Sequence, residues 1–215
     1  RRKSYISFLK WIKDEHKDCK GKNILQNIDF TFDMSLHEIG IALLFKCNLF
    51  FLSNKKNSFS ILKKIIDNDI NILVTVPNNL EIIFQNSFYK REYLKSISHF
   101  LVGGGVFAKQ LFHKITKLHP KIKLYNLYGP TEATVYASYK LLKKNNNIKN
   151  ISKGIVTIGR AINNCDLILL GKDQKIIKGK FTEGELLIGG VQVMVGYVNK
   201  YSIDDVFYNY KDKTY

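Results

Sequence analysis

The sequence predicts an α/β fold built on a largely parallel sheet, and three observations predict it. Strand-length apolar runs alternate with helical patterns from residue 1 to about residue 142. Runs such as residues 70–76 are apolar almost throughout, as strands covered on both faces must be. Turn-forming residues close them: Pro77-Asn78-Asn79, Gly103-Gly104-Gly105 and Gly129-Pro130.

In order, residues 5–17 carry Tyr5, Phe8, Leu9, Trp11 and Ile12 on one helical face, with Trp11 read as core. Residues 23–32 have strand character, 36–45 read as a buried helix, 49–52 as a short strand and 53–58 as a polar loop. A helix over 60–69 presents Ile61, Leu62, Ile65 and Ile66. The strand at 70–76 and a helix restarting near 80–84 follow. A strand at 99–102, an amphipathic helix at 108–118 stopped near Pro120, and a strand at 122–127 complete the alternation. The polar stretch 143–150 is the expected boundary. Beyond it, short strands at 156–158, 166–170, 175–177 and 185–188, punctuated by glycine, suit a small antiparallel sheet or barrel. The expected organisation is therefore a layered α/β core over 1–142 and the start of a β-rich subdomain over 151–215.

The 215 residues can bury a real core, and 45% hydrophobic with 24% charged residues excludes a disordered or fibrous class. No run of about 18 apolar residues exists to span a membrane. No apolar signal core follows Arg1-Arg2-Lys3. Cys19, Cys47 and Cys165 lack metal-site spacing, and a reducing cytoplasm suits them. The net charge of +16 invites a nucleic-acid-binding reading. The lysines, however, are dispersed among Asn and Ile, which share AT-rich codons, and no zinc finger, basic zipper or aromatic RNA-binding box accompanies them. They are read as solvated faces, with no nucleic-acid and no membrane partner.

The stretch richest in chemistry is Asn126-Leu127-Tyr128-Gly129-Pro130-Thr131-Glu132-Ala133-Thr134-Val135. It follows a strand, and ligands of parallel sheets bind beyond the strands' carboxyl ends. The turn and Thr131 offer N–H groups and a hydroxyl to a phosphate. An acid beside a phosphate calls for a bridging cation, so Glu132 is the candidate ligand for Mg²⁺. Tyr128 offers a ring for stacking on a base. These residues alone leave open an ordinary loop with a capping threonine and a surface glutamate.

The whole run resembles the signature N-x-Y-G-P-T-E-x-T-V of amino-acid adenylation domains, which belong to the adenylate-forming superfamily. Phe32-Asp33-Met34-Ser35 resembles the same family's F-D-x-S motif, and Leu101-Val102-Gly103-Gly104-Gly105 its glycine-bearing strand end. Gly184-Glu185-Leu186-Leu187-Ile188-Gly189-Gly190, continuing to Gly196-Tyr197-Val198-Asn199, resembles G-E-L-x-I-x-G…G-Y-x-N. Gln192 and Val195 depart from that last pattern, and the segment is read as mainly structural. Ile158-Gly159-Arg160 resembles a further turn of the family.

The resemblance implies the adenylate-forming-enzyme fold, here part of its large N-terminal domain. It implies an AMP-forming ligase: ATP and an amino acid give aminoacyl-AMP, and the acyl group passes to the phosphopantetheine thiol of a carrier protein, in the same polypeptide or another. It gives Asp33 the substrate ammonium. It assigns the side-chain pocket to Met34, His37, Val74, Leu101, Gly103, Leu127, Val135 and Tyr136. It places Gly103, Gly104, Asn126, Leu127, Tyr128, Gly129, Pro130 and Thr131 against the nucleotide, and makes Thr131 and Glu132 catalytic. For Val74, Leu101 and Leu127 a plain core role is the competing reading. The family's phosphate loop, ribose-binding aspartate and catalytic lysine have no counterpart here, so a fragment inactive by itself is expected. The alternative enzyme is an acyl- or aryl-CoA synthetase of the same superfamily.

Overall fold

Helix α1 (Arg2–Glu15) forms because Phe8, Trp11 and Ile12 fall on one face and are buried together. The computed structural model describes residues 1–52, 58–87, 89–142, 151–178, 182–197, 207–210 and 213–215. After α1 come β1 (Asn23–Gln26), α2 (Ser35–Phe45), β2 (Asn48–Phe51), α3 (Ser58–Asp67) and β3 (Ile72–Thr75). Then follow α4 (Pro77–Gln85), β4 (His99–Gly103), α5 (Lys109–Leu118) and β5 (Lys123–Tyr128). Pro77 opens α4, where its missing N–H is no loss.

These five strands run parallel in the order β2-β1-β3-β4-β5. The winding therefore reverses between β1 and β3. Alternation along the strands divides the core. Ile72, Val74, Leu101, Tyr125 and Leu127 face α1 and α2. Leu73, Phe100, Val102 and Leu124 face α3, α4 and α5. Each such side chain removed from water contributes about 1.5–3 kcal/mol, and the result is a three-layer α/β unit.

The expected strand over 23–32 is shorter in the structure. Asn27 leaves the sheet because its side-chain amide donates to the Val74 carbonyl at 2.6 Å and its N–H to Glu38 Oε1 at 3.0 Å. A strand that the pattern did not announce, β6 (Ser138–Leu142), pairs antiparallel with β5. Its Ser138 and Lys140 broke the apolar run by which the other strands were legible.

The boundary stretch 143–150 and most of the polar loop at 53–58 lie outside the described residues. The hairpin β7 (Ile151–Ser152) and β8 (Ile155–Val156) follows. Strand β9 (Arg160–Ala161) then returns to the main sheet, antiparallel to β6, making seven strands. Strands β10 (Cys165–Leu170), β11 (Ile176–Ile177) and β12 (Glu185–Gly190) form a separate antiparallel sheet, and β13 (Asn209–Tyr210) pairs with β14 (Lys213–Thr214). The three cysteines are free. Among the described residues, no helix is long and apolar enough to cross a membrane.

Candidate functional site

The reversal of strand order between β1 and β3 leaves a crevice at the sheet's carboxyl end, where such folds hold ligands. Asp33 lies in the loop leaving β1, two residues before α2, and its Oδ2 is buried without a hydrogen-bond partner. A buried carboxylate oxygen left unpaired costs several kcal/mol, which a cationic group arriving there would recover. Met34 follows at the helix start. Gly104, with φ +73°, ends β4 in the left-handed region, and a Cβ there would lie 3.0 Å from Met34 Sδ. A Cβ at Gly103 would lie 3.0 Å from the Leu127 carbonyl and 3.1 Å from Tyr136 Cε1. Asp33, Met34, Gly103, Gly104, Leu127 and Tyr136 thus converge.

Behind them the packing is aromatic, with polar ring nitrogens and a hydroxyl enclosed in it. His37 lies 5.3 Å from both the His16 and Tyr136 ring centroids. The ring nitrogens of both histidines are buried without partners. Burial holds His37 well below the ordinary imidazole range and His16 down to about 3, so both are neutral. The Tyr136 hydroxyl is likewise buried and unpartnered. Burial, then the nearby carboxylates of Glu38 and Asp33, push its pKa well up. Val74, Leu101 and Val135 are fully enclosed in the same apolar cluster.

At the carboxyl ends of β4 and β5 lies a cavity of about 510 Å³, lined among others by Gly104, Gly105, Phe107, Asn126, Tyr128 and Pro130. That is the size of a pocket for a small organic ligand. Tyr128 stands at its wall, half-exposed. Asn126 also lines it, but its amide donates to the carbonyls of Val156 and Thr157, so it builds the wall.

The loop between β5 and β6 is tightly held. A Cβ at Gly129 would lie 2.5 Å from Tyr136 Cα, so only glycine fits. Ala137 N–H donates to the Tyr128 carbonyl at 2.8 Å, closing the loop. Thr131–Ala133 form one 3-10 turn that presents Thr131 to solvent. Thr134 and Val135 follow in the left-handed region, with φ of 57° and 69°. The Glu132 carboxylate accepts a hydrogen bond from the Tyr197 hydroxyl at 2.6 Å, which holds its pKa below the usual range and keeps it charged at neutral pH. A charged, partly open carboxylate at the loop rim fits a hard cation such as Mg²⁺.

Three residues of this site were not singled out as functional by the sequence. Gln192, fully buried, donates from Nε2 to the carbonyls of Ala133, Thr134 and Tyr136 at 3.1, 3.2 and 3.0 Å. Its main-chain carbonyl accepts from Thr134 Oγ1 at 2.7 Å. Tyr197 is the second and Glu38, which accepts from the Asn27 and Ile28 N–H groups, the third. Gln192 was visible only as a departure from pattern, and its partners lie more than fifty residues away.

Two other features are separate. A recess of about 690 Å³ lies between Arg1, Asp166, Met194 and Lys213, and it gathers none of the residues assigned to substrate, nucleotide or metal. At the amino end of the sheet, Asp18 meets His99 Nε2 at 2.9 Å and Lys123 Nζ at 2.7 Å; the lysine occupies the place a cation would take.

A doubly wound sheet with an unpaired acid at its switch point and a glycine-proline loop beside a cavity of about 510 Å³ is the arrangement in which open α/β folds hold ligands. The family model for the AMP-binding enzyme matches residues 3–198, and the chain belongs to that family. Among curated relatives, the D-alanine--D-alanyl carrier protein ligase of Bacillus cereus (strain AH187) is 26% identical over 198 residues, 90% of this chain and 38% of the relative. The ligase of the same name from Listeria monocytogenes serotype 4b (strain CLIP80459) is 25% identical over 211 residues, 96% of this chain and 40% of the relative. The chain thus spans about two fifths of these relatives. Two solved structures share the fold. The Vibrio cholerae adenylation domain AlmE, in complex with glycyl-adenosine-5'-phosphate, has a TM-score of 0.82 at 22% identity, over 99% of this chain and 40% of that one. PA1221, a nonribosomal peptide synthetase protein containing adenylation and PCP domains, has a TM-score of 0.77 at 20% identity, over 90% of this chain and 39% of that one.

Proposed function

We propose that the protein to which this chain belongs is an AMP-forming ligase that activates an amino acid with ATP and passes it to a carrier protein's phosphopantetheine thiol. The observation that carries this reading is Asp33, whose buried Oδ2 lacks a partner beside the glycine end of β4. An α-ammonium group supplies the missing donors and charge. The amino acid's carboxylate then attacks the α-phosphate of ATP, displacing pyrophosphate and leaving aminoacyl-AMP. The thiol attacks the activated carbonyl, displacing AMP. The chain's part is positioning and charge neutralisation. Asp33 orients the amino acid. Met34, His37, Val74, Leu101, Gly103, Leu127, Val135 and Tyr136 enclose its side chain. Tyr128 stacks on the adenine while Gly103, Gly104, Asn126, Leu127, Gly129 and Pro130 form the wall. Thr131 binds phosphate, and Glu132 holds the metal. Mg²⁺, when bound, offsets negative charge on the phosphates.

In the whole enzyme, residues 1–142 belong to the layered core and 151–215 begin a β-rich subdomain, β9 being the strand that crosses back. D-alanyl carrier protein ligases among the relatives, and a neighbour that contains a PCP domain, support a carrier as partner. The test is exchange of labelled pyrophosphate into ATP by the full-length protein. Amino-acid-dependent exchange is expected. Exchange with simple carboxylic acids in place of amino acids would identify an acyl- or aryl-CoA synthetase instead.

A further inference from the structure

The space beside Asp33 that a substrate side chain would enter is already filled by the protein's own side chains. Tyr136, Leu127, Leu101, Val74 and His37 are 1%, 2%, 0%, 0% and 0% exposed, and Met34 is 8% exposed. Almost none of their surface is open to water. The wall is packed directly against the strand end: a Cβ added to Gly103 would lie 3.1 Å from the Tyr136 ring and 3.2 Å from Leu127 Cβ, so these side chains press on β4 itself. Gly104 is exposed and lines the neighbouring cavity, and Met34 Sδ packs close to it, 3.0 Å from where its Cβ would lie. The wall cannot retreat easily. Tyr136 lies against Phe8, Trp11 and His37, with centroids 5.9, 6.3 and 5.3 Å away. Its backbone is fixed by Gln192 and by the close approach of Gly129. Dense interiors of this kind resist the insertion of even one or two methylene groups.

We infer that the amino acid is glycine, with alanine the largest side chain admitted. Glycine brings an ammonium group to Asp33 and asks for no volume beyond its Cα. A methyl group is the smallest side chain that could press against the Tyr136 and Met34 side chains. A branched or aromatic side chain requires the Tyr136 ring to leave a site packed on three sides. Selectivity of this design works by exclusion. This inference rests on the amino-acid-activating reading proposed above and names the substrate of that same site.

The experiment measures pyrophosphate exchange by the full-length protein with glycine, D- and L-alanine, serine, valine and phenylalanine. Glycine should give the highest kcat/KM, and valine and phenylalanine should fall roughly 10²-fold or more below it. In parallel, glycyl and phenylalanyl sulfamoyl-adenosines, which cannot react further, report binding by calorimetry whether or not exchange is measurable. The glycyl probe should bind at least roughly 10²-fold more tightly. Met34→Ala and Tyr136→Ala should narrow the gap by admitting larger side chains; Met34 lies at the margin of the core, so the first variant reads out even if the second does not fold. Preference for valine, phenylalanine or any side chain larger than a methyl would overturn the inference and leave the amino-acid reading intact. Exchange with carboxylic acids alone, and no preference between the two probes, would overturn both.

Discussion

Replacing Gln192 with methionine tests whether the loop between β5 and β6 is held from a distance. The two N–H groups on Nε2 serve three carbonyls of that loop, those of Ala133, Thr134 and Tyr136. Methionine keeps the volume and removes both donors. At least two buried carbonyls then lose a partner, at about 1–3 kcal/mol each. Gln192 Oε1 is itself buried and unpartnered, so its removal returns a similar amount once. The net loss should be about 2 kcal/mol, a fall in Tm of roughly 4–8 °C for a domain of this size. Function should suffer more. Thr134 and Val135 hold left-handed backbone that costs roughly 1–2 kcal/mol each, and without the clamp this strain can relax. Thr131 and Glu132 sit on the same turn and would shift with it. A displacement near 1 Å can cost up to about 10²-fold. Thermal denaturation and pyrophosphate exchange across a MgATP titration read both effects in the full-length protein. A variant with unchanged Tm and unchanged KM for MgATP would refute the clamp.

Asp33→Ala should raise the amino-acid KM by about 10²-fold or more, since truncating one partner of a buried charge pair costs about 2–5 kcal/mol, with a much smaller change for ATP. An unchanged amino-acid KM would remove Asp33 from the site. Glu132→Gln should lower turnover and shift the Mg²⁺ titration to higher concentration, whereas wild-type Mg²⁺ dependence would count against the metal role. Burial raises Glu38 to about 8, so the folded protein keeps a proton that the unfolded chain releases near 4.5. Its contribution to stability is therefore full below about pH 4.5 and declines as pH rises to about 8, at up to about 1.4 kcal/mol per pH unit. Glu38→Gln should flatten that slope in denaturation midpoints, and identical slopes would show that Glu38 is ionised when folded.

The sequence by itself determined the parallel part of the fold. Residues 70–76 and 99–102 are mostly apolar without strict alternation because both faces of a covered strand are buried, and that pattern is local. It also determined the tight loops at the carboxyl ends of β4 and β5, because Gly103-Gly104-Gly105 and Gly129-Pro130 mark places where backbone must turn or approach closely. Strand β6 escaped notice because an antiparallel strand near a sheet's edge can carry Ser138 and Lys140 without loss. Tertiary structure alone decided that β9 rejoins the main sheet, because β-pairing is chosen by hydrogen bonds between residues distant in the chain. It alone decided the tasks of Gln192 and Tyr197, whose partners lie 56 to 65 positions away. It alone decided how full the space beside Asp33 is. A sequence names the residues around a pocket, but the volume left between them depends on how their rings and side chains pack against α1, α2 and the loop that Gln192 holds.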